Sequence, residues 1–194
     1  MPTGVALRDA RQQLFDAAAR VLLRDGASEL TSRSVTTEAG VAKGVLHRHF
    51  TDFDGFLTEL VLDRISQVSA QSAELQHAAG SGTVADNLTN ALIRGFDPVM
   101  VAIIVLVIAR DGLRRRLREA GTSRLPLVGE ATALVADYLR AEQHAGRIAQ
   151  DADIGALAPT LIGAAHLRFT ESSDVTADEV RKVVTTVLAG VVRE

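Results

Sequence analysis

Apolar residues recur at helical spacing along nearly the whole chain. In the first part of the sequence they fall at positions i, i+3, i+4, i+7 and i+8, which predicts one apolar stripe on a helix. This stripe consists of Leu14, Ala17, Ala18, Val21 and Leu22. Asp25-Gly26 is expected to end the helix, because glycine accepts the left-handed conformation that is common at helix C-termini.

Further helices follow from the same spacing together with start and stop signals. The predicted ranges are 32–39, 43–49, 52–78, 83–95, 98–109, 113–120 and 126–145, before two final helices. The β-branched run Val99–Ala109 has the composition of a strand, but its length and the Asp97-Pro98 start favour a buried helix closed by Asp111-Gly112. No alternating, repetitive or low-complexity segment is present, so the sequence predicts an all-α fold.

The two final helices have the clearest apolar stripes. The first contains Ile154, Leu157, Ala158, Leu161, Ile162 and Ala165. The second contains Val180, Val183, Val184, Val187, Leu188, Val191 and Val192, and is predicted to run over four turns. Such a stripe is either ordinary core, or partly core and partly an interface with a second subunit.

Charge limits how this protein could bind nucleic acid. The chain has 194 residues, of which 47% are hydrophobic and 23% charged, which is enough apolar material for a sizeable core. Its formal net charge of −3 argues against nonspecific coating of nucleic acid, because the overall field repels phosphate. Binding to DNA therefore requires a local positive patch. Segment 31–50 supplies a modest one, since three basic residues against Glu38 alone give it a net charge of +2.

Several features bear on the compartment of the protein. There is no cysteine, which excludes disulfides and thiolate metal sites. The first residues, MPTGVALRDARQQL, lack the apolar core of a signal peptide. The apolar uncharged run Pro98 to Ala109 is too short to span a bilayer. We therefore expect a cytoplasmic protein without a membrane partner.

Segment Thr31–Phe50, TSRSVTTEAGVAKGVLHRHF, is the most specific local pattern, and it is typical of a helix-turn-helix. The residues suited to its turn and to its inward face are Ala39, Gly40, Val41, Val35, Leu46 and Phe50. At about 100° per residue, Gly44, His47 and Arg48 point away from Leu46 and Phe50. A helix that enters the major groove needs this combination of an apolar base, a small side chain for close approach and donors at the rim.

The order AGV-x-KG-x-L-x-x-x-F, preceded by a helix of about 20 residues and followed by another, resembles the DNA-binding domain of the tetracycline-repressor (TetR) family. The resemblance implies a three-helix DNA-binding domain at residues 1–52 and a larger helical domain at 53–194 for effector binding and dimerisation. It further implies a homodimer on a palindromic operator in double-stranded DNA, most often a repressor that a small effector releases.

The resemblance also assigns site residues. The expected DNA contacts are Thr31, Ser32, Arg33, Lys43, Gly44, Val45, His47, Arg48 and His49. Two positions depart from the family pattern. Ala42 stands where the family usually has Ser or Thr, so the recognition helix loses a side-chain N-cap. Phe53 stands where Lys is common, which removes one cation from the interface.

In the larger domain the resemblance places an effector pocket and a subunit interface. The expected pocket residues are Phe96, Met100, Ile104, Ile108, Leu117, Leu134, Tyr138 and His166. The scarcity of polar groups in this region favours an apolar or amphipathic effector. The expected interface residues, on the last two helices, are Leu157, Leu161, Ala165, Val180, Val184, Val187 and Val191.

Two other functional classes remain open from the residues. A helical enzyme or small-molecule binding protein is one, although no catalytic triad, phosphate-binding loop or pair of catalytic carboxylates stands out, so we expect no enzymatic activity and no cofactor. A family member that has lost specific DNA binding is the other. A metal site is disfavoured, because His47 and His49 lie about 200° apart on a helix.

Overall fold

The computed structural model describes residues 4–123, 125–172 and 174–193. These residues form ten α-helices and no β-strand, which confirms the predicted all-α fold. The helices are α1 (Gly4–Asp25), α2 (Ser32–Glu38), α3 (Gly44–His49), α4 (Phe53–His77), α5 (Val84–Gly95), α6 (Pro98–Ala109), α7 (Asp111–Glu119), α8 (Pro126–His144), α9 (Ile154–Glu171) and α10 (Ala177–Val187).

The chain divides into two compact units. The first comprises Met1–Asp63 and Ala102–Arg124, and the second comprises Arg64–Val101 and Leu125–Glu194. The division falls inside α4 and inside α6, so each of these helices contributes residues to both units. The functional boundary expected at residue 52 stays a prediction.

The first unit is built on the apolar stripe of α1. All five of its predicted residues are buried, and Leu14, Ala17, Ala18 and Val21 are completely inaccessible to solvent. Three phenylalanines pack beside the stripe, because the Phe50 ring lies 5.8 Å from that of Phe15 and 5.0 Å from that of Phe56. Helix α1 ends as predicted at Gly26, whose φ of +83° is the left-handed conformation that favours glycine.

One boundary in this unit differs from the prediction. Asp111 and Gly112 do not close α6, because α6 ends at Ala109 and α7 begins at Asp111. The break falls at Arg110, whose extended backbone (φ −120°, ψ 101°) separates the two helices. An aspartate in the first turn is favourable for the helix dipole, so Asp111 acts as a start signal and not as a stop.

The second unit pairs α5 with α10 and α8 with α9, and α9 also packs on α10. Its least expected feature is a buried carboxylate, Glu142 on α8, which is completely inaccessible to solvent. Arg147 donates to both Glu142 oxygens at 2.6 and 2.7 Å, and it also donates to the carbonyl oxygen of Gly82. The pair thereby ties the end of α8 to the loop between α4 and α5.

The last helix is shorter than predicted. Helix α10 ends at Val187, and Gly190 turns the chain with a φ of +81°. The chain then runs beside residues 147–149, where Ala149 donates to the Val191 carbonyl at 2.8 Å and Arg193 donates to the Arg147 carbonyl at 2.9 Å. The prediction that Val191 and Val192 continue the helical stripe is therefore wrong.

Most residues expected at the subunit interface lie inside the chain. Leu161, Ala165, Val180 and Val184 are 0 to 3% exposed and belong to the core of the second unit, so they are corrected to core residues. The stripe that periodicity detects is the buried face of each helix, because packing within the chain already requires one. Leu157, Val187 and Val191 are half-buried.

Within the described residues, no individual helix has both the length and the apolar character needed to cross a membrane. Helices α5 and α6 reach these values only when they are taken together as one bent pair.

Candidate nucleic-acid interface and effector pocket

One side of helix α3 is buried, and the opposite side is exposed to solvent. Leu46 is completely buried and Phe50 is 3% exposed, which fixes the helix against α1 and α4 through the phenylalanine cluster. Gly44, His47 and Arg48 are exposed on the opposite side. A Cβ added at Gly44 would meet no atom within 4 Å, so the glycine leaves open space outside the helix for another molecule.

The other expected DNA contacts surround this face with varying exposure. Lys43 and Arg33 are exposed, whereas Val45 and His49 are half-buried. The His49 ring lies 6.4 Å from Phe50, and its carbonyl accepts a hydrogen bond from Arg11. His49 therefore has a structural contact that the sequence did not indicate.

The start of α2 is fixed by a reciprocal cap. The Thr31 hydroxyl accepts from the Ser34 backbone N–H, while the Ser34 hydroxyl accepts from the Thr31 backbone N–H. The Ser32 hydroxyl is buried and has no hydrogen-bond partner in the described part of the chain. A helix N-terminus is suited to bind a phosphate oxygen, but the buried Ser32 hydroxyl does not reach the surface to take part.

The electrostatics of this surface are more favourable than segment 31–50 alone suggested. Its single acid, Glu38, is held by Arg20 at 2.7 Å and by Arg24 at 2.8 Å, both from α1. Hydrogen bonds from Arg20 and then Arg24 lower the pKa of Glu38 below its ordinary value. Since two cations surround this carboxylate, the acid does not cancel the charge of Arg33, Lys43 and Arg48. This pairing could not be predicted from the sequence pattern, because Arg20 and Glu38 are 18 residues apart.

At the beginning of α4, Phe53 and Asp52 each lie beside an arginine from a later segment of the first unit. The Phe53 ring stacks on Phe56 at 5.7 Å, and the Arg110 guanidinium lies 5.8 Å from its centroid. Asp52 caps α4 by accepting from the Gly55 N–H at 2.6 Å, and Arg116 of α7 donates to both of its oxygens at 3.0 and 2.8 Å. The hydrogen bonds from Arg116 and then Gly55 lower the pKa of Asp52.

A small cavity lies within the second unit. Its volume is about 60 Å³, and its walls come from α4, α5, α8, α9 and the region around the start of α6. Phe96, Met100 and Leu134 line it, as the sequence predicts. The lining residues that sequence reasoning missed are Val68, Leu75, Ala91, Leu92, Arg94, Gly95, Ala131, Val135 and Ile162.

The other five expected pocket residues do not line this cavity. Ile104 and Leu117 are buried in the first unit, and Ile108 is 51% exposed. Tyr138 is fully buried with its hydroxyl bonded to Asn87 at 3.0 Å. His166 lies 6.1 Å from the ring of Phe96, and its buried Nδ1 has no hydrogen-bond partner among the described residues. Helical periodicity shows that a residue is buried but not which neighbour it faces, so the assignment of these five residues to an effector pocket stays a prediction.

No group of three or more His, Asp or Glu residues in the described ranges is arranged to hold a metal ion.

Comparison with known proteins identifies the N-terminal region. Residues 14–60 match the family model for bacterial regulatory proteins of the tetR family. A curated relative, the HTH-type nicotine-responsive transcriptional repressor HdnoR of Paenarthrobacter nicotinovorans, is 35% identical over 60 residues. This alignment covers 31% of the present chain and 31% of that repressor, so the match spans about a third of the relative.

Solved structures extend the likeness to the whole fold. The fatty acid degradation regulator FadR from Bacillus halodurans has a TM-score of 0.71 at 16% identity and covers 98% of both chains. A transcriptional regulator from Saccharomonospora viridis in complex with choline has a TM-score of 0.70 at 17% identity, covering 96% of this chain and 100% of that one. At such identities the likeness establishes the fold alone. Residues 14–60 are therefore similar to bacterial regulatory proteins of the tetR family, and the fold along the whole length is similar to that of solved transcriptional regulators.

Proposed function

We propose that this protein is a ligand-responsive, DNA-binding transcriptional regulator, acting as a homodimeric repressor that a small effector releases from a palindromic operator. The observation that carries the proposal is the two-sided construction of α3. Its apolar side is buried through Leu46 and Phe50, while Gly44 and Arg48 face solvent in a segment that matches the family model. Since every amphipathic surface helix has an exposed polar face, it is the match of this segment to the family model that connects the exposed face of α3 with DNA.

Each expected contact has a physical role at the DNA. Arg48 and Lys43 are exposed donors for phosphate oxygens or for the guanine edge. Gly44 permits close approach of the backbone, and the Val45 methyl groups suit the C5-methyl of thymine. Thr31 and Arg33 at the start of α2 would hold the backbone phosphates that set the register. His47 and His49 remain candidate donors on the same helix.

A dimer is expected because one short helix contacts too few bases for specificity. The exposed face of α9 supports it. Ala156, Thr160, Gly163 and Leu167 are exposed at positions i, i+4, i+7 and i+11, so they form one stripe opposite the buried face. Small residues in such a stripe let two helices approach closely. Half-buried Leu157, Val187 and Val191 would complete the apolar surface.

The effector is proposed to occupy the cavity between α4, α5, α8 and α9. The proteins that this chain resembles point to different ligands. One is named nicotine-responsive, another is a fatty acid degradation regulator, and a third was solved with choline. These relatives support a small effector but do not select its chemistry for this chain. Phe96, Met100 and Leu134 are the expected pocket residues that line the cavity.

Helix α4 provides a continuous element for the response. It begins at Phe53, directly after the α3 segment, and it contributes Val68 and Leu75 to the cavity wall. A ligand that enlarges the cavity would displace the distal part of α4 and alter the orientation of α3. The coupling is reciprocal, so operator DNA weakens effector binding by the same factor that the effector weakens operator binding.

The test is a fluorescence anisotropy titration with DNA from upstream of the protein's own gene. We expect specific binding that weakens steeply with salt, because phosphate contacts release counterions. Arg48→Ala should weaken it by about tenfold or more. Arg140→Ala serves as the matched control, since Arg140 is an exposed arginine on α8 paired with Asp137, and it should leave binding unchanged.

Two results would contradict the proposed DNA binding. If the folded dimer binds no flanking DNA even at low salt, or if Arg48→Ala and Arg140→Ala behave alike, the DNA-binding function is wrong. The alternative of a family member that binds only small molecules or protein partners would then be preferred.

A further inference from the structure

The cavity of the second unit has a mainly apolar lining with a charged group on one side. Among the described residues that line it, Arg94 is the only charged one, and the others are aliphatic, aromatic, Met or Gly. The walls formed by Val68, Leu75 and Ile162 offer no side-chain hydrogen-bond group. Any ligand that fills this space must therefore be mainly apolar, and only Arg94 among these lining residues can form an ion pair with it.

Arg94 lies at the mouth of the cavity. Its side chain is 57% exposed, and its Nη1 is 2.7 Å from Glu74 Oε2, on a carboxylate that is itself 64% exposed. A guanidinium has five N–H donors, so a single contact with Glu74 does not saturate it. The remaining donors can take a second acceptor in the planar geometry that carboxylate and phosphate groups fit.

We propose that the cavity binds an aliphatic chain with an anionic head group, with the chain inside and the head on Arg94. The proposal deepens the effector site of the proposed function and rests on it for its regulatory meaning. A cationic head would be repelled by Arg94, because Arg94 lines the cavity and its partner Glu74 does not. A neutral head would forgo the charge-assisted hydrogen bonds.

The size of the cavity limits the chain. About 60 Å³ holds roughly four water-sized groups, so it accommodates a short chain or the end of a longer one. A chain of about eight carbons would need some separation of α4 and α8, which is the displacement that a response requires. The head group would be a free carboxylate or the phosphate of an acyl thioester, and both share the same anionic chemistry.

Isothermal titration calorimetry on the full, DNA-free protein tests this with four probes: octanoate, octanamide, octylamine and octanoyl-CoA. We expect octanoate or octanoyl-CoA to bind about fivefold more tightly than octanamide, and octylamine to bind least, since a partly exposed ion pair gives a modest preference. Whichever anionic probe binds more tightly shows whether the head group is a free carboxylate or the phosphate of an acyl thioester.

Variants test whether Arg94 causes the tighter binding of the anionic probes. Arg94→Gln should reduce the affinity for the anionic probe to that for octanamide and leave octanamide unchanged. Arg140→Gln, an exposed and similarly paired arginine away from the cavity lining, should change neither. Ala91→Leu fills the cavity and should weaken every probe, which circular dichroism can separate from a folding defect.

Equal affinity for octanoate and octanamide would overturn the proposal, as would an anion preference that survives Arg94→Gln or a failure of all four probes to bind. These measurements contain no DNA. The ligand chemistry can therefore fail while operator binding stands, and operator binding can fail while the ligand chemistry stands.

Discussion

At the scale of single residues, the carboxylate of Glu142 is completely inaccessible to solvent. Burial disfavours its charged form, but hydrogen bonds from Arg147 and Tyr138 outweigh this effect and lower its pKa below the ordinary value. The backbone N–H of Gly80 also points at both carboxylate oxygens, at 3.3 and 3.4 Å. Since the charge is buried, the arrangement is stable only while its partners remain.

Removal of Arg147 should therefore be costly. We expect Arg147→Met to lower the free energy of unfolding by about 3 kcal/mol, because Glu142 keeps its burial and loses its cation. Arg140→Met, which breaks an exposed pair with Asp137 on the same helix, should cost less than about 1 kcal/mol. Urea unfolding at equal protein concentration measures both, and equal losses would contradict a stabilising role of the buried pair.

The same carboxylate predicts a dependence on pH. Its pKa is lower in the folded protein than its ordinary value of 4.5, so its stabilising contribution is present above that value and is lost as the pH falls further. The unfolding free energy of the wild type should therefore fall more steeply than that of Glu142→Gln between about pH 5 and pH 3. Parallel curves for the two proteins would show that Glu142 is not the titrating group.

At the scale of elements, helix α3 has no capping side chain at its N-terminus. Lys43 has helical dihedral angles (φ −48°, ψ −35°), so Ala42 occupies the position from which a side chain would cap the helix. The Val45 N–H bonds to the Ala42 carbonyl at 2.8 Å, and no side chain caps the α3 N-terminus. The deficit that the sequence predicted at Ala42 is therefore present in the structure.

A hydroxyl at this position should restore the cap. We expect Ala42→Thr to stabilise the protein by about 0.5 to 1 kcal/mol, because the hydroxyl can accept from the Val45 N–H. Ala42→Val is the matched control, since it has the same shape and no acceptor, and it should be neutral or destabilising. The Tm values of the two variants decide the question, and an equal shift for both would rule out capping as the cause.

Helix ends could be predicted from the sequence, whereas contacts between distant segments could not. Start and stop signals located most helix ends within a few residues, because caps and left-handed glycines such as Gly26 act locally. Contacts between distant segments had no comparable signal. The Arg20–Glu38 pair, the Arg94 lining position and the pairing of Val191 with Ala149 all depend on how helices meet in space.

At the scale of the whole molecule, the proposed regulator requires two copies with their recognition helices about one DNA turn apart. The stripe of α9 proposed to join them contains Gly163, where an added Cβ would meet no atom within 4 Å. Leu167 on the same stripe is 57% exposed, so the stripe presents a large apolar side chain beside its small residues. The chain itself therefore tolerates substitution here, whereas a second copy would not.

Gly163→Lys tests this surface directly. In a monomer the lysine points into solvent, and its effect on stability should be limited to the difference between two helical residues. Across a close helix pair it would place a charge and a long side chain where only a glycine fits, so we expect monomers by light scattering and loss of operator binding. Ala133→Lys makes a comparable change at an exposed position of α8 and should preserve both properties. A Gly163→Lys protein that stays dimeric would place the interface elsewhere. A monomer with full operator affinity would instead refute the need for two recognition helices.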